Sequence, residues 1–103
     1  MEQLKSGFYP THPGEVIKDE LEYRKIPQRK LASQIGISYT ALNEILNAKK
    51  PITTKTAYLL EAALGISAPM LLRIQLKYDM HIAQSDKSLM ERIAEIRKVV
   101  AVL

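Results

Sequence analysis

The segment Gln28–Pro51, QRKLASQIGISYTALNEILNAKKP, constrains this chain more than any other stretch. Leu31, Ala32 and Ile35 fall on one face at helical spacing. Gly36 follows as the left-handed residue that ends a helix, and Ile37 fills the corner. Ser38 stands where an N-cap hydroxyl accepts from an orphan amide. A second helix beginning at Tyr39 is predicted to bury Ala41, Leu42, Ile45 and Leu46. Its other face shows Tyr39, Thr40, Asn43, Glu44 and Asn47, followed by Lys49 and Lys50. Two short helices joined by so tight a turn make a helix-turn-helix, and the polar load on the second suits a helix lying in a DNA major groove.

Length and composition fit one compact domain with an extension: 103 residues, about half of them apolar and a quarter charged. The absence of cysteine excludes a disulfide framework and a cysteine metal cluster, and suits a reducing cytoplasm. His12 and His81 are too far apart in sequence to form a local metal motif, so no metal or other cofactor is expected. The first residues lack the apolar core of a signal peptide, and no segment approaches the roughly 18 apolar residues of a membrane helix. A cytoplasmic protein without a membrane or small-molecule partner is the expectation. The formal charge is +4, and residues 26–50 alone contribute +3. The positive excess therefore lies where phosphate would be met.

Flanking segments complete an all-α bundle. Residues 1–11 read as an irregular arm, 12–80 as the DNA-binding domain and 81–103 as a C-terminal extension. Pro13 opens a first helix that runs to about Arg24, with Val16, Ile17 and Leu21 inward, and the Ile26–Pro27 pair breaks it. A fourth helix, capped by Thr53 or Thr54, covers Thr54 to Leu64 with Ala57, Leu60, Ala63 and Leu64 inward, and ends at Gly65. Ser67 caps a fifth, in which Met70, Leu71, Ile74 and either Leu76 or Tyr78 continue the apolar pattern to about Asp79.

After a polar joint at residues 81–85 comes a last helix, with Asp86 or Ser88 as its cap and Ser88 and Glu91 at capping-box spacing. Leu89, Ile93, Ile96, Val100 and Leu103 recur at steps of four and three, the seam spacing of a coiled coil. Three readings stay open: a helix folded back on its own domain, a homodimer seam, and a surface for another protein. The β-branched end VVAVL also permits a final strand.

The exposed residue types match DNA recognition. Asparagine bonds adenine edges bidentately, and threonine bonds bases or phosphates while its methyl touches a thymine methyl. Thr40 and Asn43, near the helix start, are the expected base readers, with Tyr39 reaching a base or a phosphate and Asn47 on the same face. Gln28, opening the preceding helix, is placed for a backbone phosphate. Arg29, Lys49 and Lys50 supply charge attraction. Ser38 reads as an N-cap with or without a DNA contact, and Glu44, a carboxylate, is the weakest candidate. One such helix contacts too few bases to be selective, so a homodimer is expected, with two recognition helices about 34 Å apart on a palindromic operator.

At this point the pieces HPGE, QRKLA…GIS, ILNAKKPIT and LLRIQLKYD, spread over residues 11–79, resemble the HigA-type antitoxins among the Xre/Cro-like helix-turn-helix regulators. The resemblance implies a five-helix, lambda-repressor-like bundle. It also implies a dimer that binds operator DNA in its own promoter and suppresses a HigB-type toxin, a ribosome-dependent mRNA endonuclease. DNA contacts in that family come from the start of helix two and from helix three. Carried onto this chain, they are Gln28, Ser38, Tyr39, Thr40, Asn43 and Asn47. Pro27 departs from the usual serine or threonine before the helix-two glutamine, keeping a helix start without a capping hydroxyl.

Two alternatives stand beside this reading: a free-standing repressor of the same fold with no toxin, and a protein-binding adaptor on the same scaffold. Thr40, Asn43, Asn47 and the local positive charge speak against the adaptor. The sequence carries no phosphate loop, nucleophile elbow or metal cluster, so an enzyme is not expected.

Overall fold

Side chains that satisfy free amides start five of the six helices. Nδ1 of His12 accepts from the Gly14 N–H at 2.9 Å while Glu15 Oε2 accepts from the His12 N–H at 3.1 Å, a reciprocal box that opens α1 (Pro13–Arg24). Ser38 caps α3 (Tyr39–Leu46) through the Ala41 N–H at 3.0 Å. Thr53, Ser67 and Asp86 do the same for α4 (Thr54–Leu64), α5 (Ala68–Gln84) and α6 (Lys87–Ala101). α2 (Gln28–Ile35) starts behind Pro27 with no side-chain cap, as its sequence predicts. These are the elements of a computed structural model that describes residues 10–102. Residues 1–9, most of the expected arm, and Leu103 lie outside the described residues. Among the described residues there is no strand, and none of the helices is long and apolar enough to cross a membrane.

The core gathers one stripe from each of the first five helices. Ile17 and Leu21 come from α1, Leu31, Ala32 and Ile35 from α2, and Leu42, Ile45 and Leu46 from α3. Ala57, Leu60 and Leu64 of α4, Ala68 and Leu71 of α5, and Ile52 of the connecting loop complete it. Each fully buried leucine contributes about 2 kcal/mol. α3 packs between α1 and α2, while α4 and α5 close the far side. With His12, Gln75 is one of two buried polar side chains among the described residues. Its Oε1 accepts from the Ile52 N–H at 2.7 Å and its Nε2 donates to Asp79 at 2.9 Å, which satisfies the loop leading into α4.

Several expectations are corrected. α1 stops at Lys25, which takes a left-handed conformation (φ 58°) before Pro27 acts, and the Ile26 N–H returns to the Leu21 carbonyl at 2.9 Å. Ala63 and Met70 are exposed and Val16 and Ala41 only half-buried, because the helices turn a narrower stripe inward than apolarity alone suggests. Of Leu76 and Tyr78, Tyr78 turns inward and Leu76 stays 61% exposed. The polar joint at 81–85 is helical through Gln84, since nothing there breaks a helix, so α5 runs one turn past Asp79. Asp86, not Ser88, caps α6. The last segment is helix to Ala101 rather than strand, and no residue of α6 is buried, so the extension does not fold back into its own core. It packs on α5, and the molecule measures 57 × 32 × 23 Å.

Candidate nucleic-acid interface

The position of α3 is set from two sides. From α1, Gly14 approaches its C-terminal end so closely that a Cβ there would overlap the Ile45 carbonyl oxygen and lie 2.9 Å from the Ile45 carbonyl carbon and the Leu46 Cα. From α2, the Gly36 turn (φ 75°) and the buried Leu31, Ala32 and Ile35 fix the angle between the two helices of the motif. What remains outward is the polar face that the sequence marks.

Thr40 is exposed, Tyr39 is 38% exposed, and Asn43 and Glu44 are half-buried. Nδ2 of Asn43 donates to Oε1 of Gln28 at 3.1 Å, so the first residue of α2 and the middle of α3 form one unit. The Arg29 guanidinium lies 4.1 Å over the Tyr39 ring, a cation–π contact at the start of α3. Ser38 accepts the cap bond on one lone pair of its hydroxyl and keeps its hydroxyl proton for another acceptor. Gln28, Arg29, Ser38, Tyr39, Thr40 and Asn43 are thereby brought to one face. Asn47, Lys49 and Lys50 lie exposed at its far end, where Ala48 in a left-handed conformation (φ 60°) turns the chain and the Lys49 and Lys50 N–H groups close on the Glu44 carbonyl at 2.8 and 3.3 Å.

Sequence reasoning missed four residues that shape this face. His12 is 1% exposed and stands edge-on to Tyr78 of α5, with ring centroids 4.9 Å apart. With Nδ1 accepting from Gly14, the ring proton sits on the other nitrogen, and the ring stands near the Lys50 backbone. Burial pushes the imidazole below its ordinary value of 6.5, against raising effects from Glu15, the Lys50 backbone and Asp79. The i, i+3 spacing of His12 and Glu15 is the signal that could have found the capping box. Gly14 in a first helical turn is a similar sign of close backbone approach. Ala48 gives no signal, since glycine is the residue usually found at such an angle. Lys18 of α1, whose Nζ lies 3.4 Å from Asn47 Oδ1, reads in sequence only as a wet-face charge.

A helix-turn-helix with its second helix held outward by a bundle defines the class. The Helix-turn-helix family matches residues 17–71, more than half of the sequence, and the chain belongs to that family in its Xre type. Virulence-associated protein I of Dichelobacter nodosus is 34% identical over 84 residues, which take in 81% of this chain and 78% of that protein. More narrowly, the structural neighbours include HigA-family antitoxins and antidote proteins. An addiction module antidote protein of a HigA family from Coxiella burnetii superposes with a TM-score of 0.74 at 29% identity, over 85% of this chain and 95% of that one. The Pseudomonas aeruginosa antitoxin HigA, solved with the higBA promoter, superposes with a TM-score of 0.72 at 27% identity, over 78% and 88% of the two chains.

Proposed function

We propose that this chain is a cytoplasmic HigA-type antitoxin that represses its own operon by binding operator DNA as a homodimer and that neutralises a HigB-type mRNA endonuclease. The observation that carries the DNA reading is the outward face of α3, with Thr40 free and Asn43 held by Gln28. Thr40 and Asn43 read base edges in the major groove. Gln28, Ser38 and Tyr39 hold the backbone or the groove wall, Asn47 and Lys49 mark the far end, and Arg29 and Lys50 neutralise phosphates. The domain of residues 12–80 carries this work. The extension from residue 81 pairs two copies through Leu89, Ile93, Ile96 and Val100, which would set the spacing of two recognition helices on a palindromic site.

Likeness to the promoter-bound HigA supports operator binding, and likeness to the antidote proteins supports toxin neutralisation. The test is equilibrium binding of the purified chain to DNA from upstream of its own gene and to a scrambled duplex, across a salt series. A preference of about 10³-fold, with affinity falling steeply as salt rises, is the expected result. Equal weak binding to both would overturn autorepression by the free protein. Growth arrest by the product of a neighbouring small reading frame, relieved by this chain, tests the toxin half. Failure of relief would leave a repressor without that partner.

A further inference from the structure

Asn47 closes α3, and both polar atoms of its side chain are engaged within the protein. Oδ1 accepts from Lys18 Nζ at 3.4 Å and Nδ2 donates to the Asn43 carbonyl at 2.9 Å. An asparagine that reads adenine needs both atoms for the base edge. Asn47 is thus built to hold something, and what it holds is a cation delivered from α1, 29 residues away in sequence. The opposite end of α3 repeats the arrangement in different chemistry, where Arg29 from α2 rests on the Tyr39 ring at 4.1 Å. The helix between Tyr39 and Asn47 is about 12 Å long at its ordinary rise per residue. The major groove of B-DNA is also about 12 Å wide.

We infer that Lys18 is a DNA-backbone contact and that Asn47 is its positioning residue rather than a reader of bases. The recognition helix then carries one braced cation at each end, each from a different neighbouring helix, and the pair spans the groove to meet phosphates on its two sides. The inference rests on the operator-binding reading above. Lys18 works through charge and reach, Asn47 through the hydrogen bond that keeps the ammonium beside α3 instead of free along the wet face of α1.

The experiment measures the slope of log affinity against log salt for the full chain, on the operator duplex and on a scrambled one. Lys18→Ala makes the slope shallower by about 0.9 on both duplexes, because a phosphate contact is blind to sequence. Between about 50 and 200 mM salt the variant therefore loses about 3.5-fold less affinity than the unaltered chain. Its preference for operator over scrambled DNA stays the same, and Lys18→Arg keeps the original slope. Asn47→Ala moves the slope part of the way and adds nothing when Lys18 is already alanine. A Lys18→Ala slope equal to that of the unaltered chain overturns the contact. An Asn47→Ala loss of preference at one base pair, present in both backgrounds, overturns the positioning role. If the unaltered chain binds both duplexes alike, operator recognition fails by itself, and the slope on scrambled DNA still decides for or against Lys18.

Discussion

The side-chain amide of Asn43 donates to Oε1 of Gln28 at 3.1 Å, joining the middle of α3 to the first residue of α2. The bond uses one of the two amide hydrogens of Asn43 and leaves its Oδ1 and second hydrogen for a partner. That pair of groups matches the N7 and N6 edge of adenine. Asn43→Ala should reduce discrimination at one operator base pair by roughly 1–3 kcal/mol and leave the helical circular dichroism unchanged. Binding to a set of operators with single base-pair changes reads the effect. Equal losses at every position would show that Asn43 only supports its neighbours.

Gly14 admits the α3 backbone where any side chain would collide with it. The atoms it would meet are main chain, which cannot swing aside. Gly14→Ala should destabilise the fold by about 2 kcal/mol or more, read as a lower urea midpoint. A variant as stable as the parent would mean that α1 shifts without strain.

His12 makes stability depend on pH in a defined direction. Its folded value is lowered, chiefly by burial, so the unfolded chain takes up a proton first as pH falls. This contribution is complete above about pH 6.5 and is lost as pH drops below that value toward the folded one, by at most about 1.4 kcal/mol per pH unit. Protonation of Nδ1 would also remove the acceptor that caps α1. His12→Asn keeps an N-cap oxygen and removes the titration. It should be less stable at pH 7.5 but lose less between pH 7.5 and 5.5, as urea midpoints at the two values would show.

Lys25 holds a left-handed conformation that a side chain resists. Lys25→Gly should raise stability by about 0.5–1 kcal/mol, the relief of strain outweighing the extra freedom of glycine in the unfolded chain. Thermal unfolding at matched concentration checks it, and a fall in midpoint would point to lost contacts of the Lys25 side chain.

α6 displays Ile96 at 52% and Val100 at 60% exposure with nothing of its own domain over them. If these residues pair two copies, Ile96→Asp should shift sedimentation from dimer to monomer without loss of helix. Arg92 and Arg97 flank the apolar spacing, where like charges would face one another. Added salt should therefore tighten this dimer while it weakens DNA binding.

Much of the fold was legible because its signals are local. Gly36, Ser38, Gly65 and Ser67 mark helix ends within a residue or two, and the apolar spacing of Leu31 to Leu46 gives the motif its buried side. The outward face of α3 followed from the same periodicity. What escaped depends on contacts across the chain. Lys25 and Ala48 sit at angles their residue types do not announce. Gln75 is buried because a loop amide 23 residues earlier needs an acceptor. The burial of His12 requires Tyr78 and Lys50 to arrive from elements far along the sequence.

The place of His12, buried against Tyr78 and near the Lys50 backbone, bears on modularity. The turn after α3 lies near a residue placed before the first helix, and the helix itself rests on Gly14. A peptide of residues 28–51 would carry every outward side chain of the motif and neither of these neighbours. Transplanting α3 into another scaffold of this fold should therefore transfer the residue types without their aim, unless the His12–Glu15 segment travels with it.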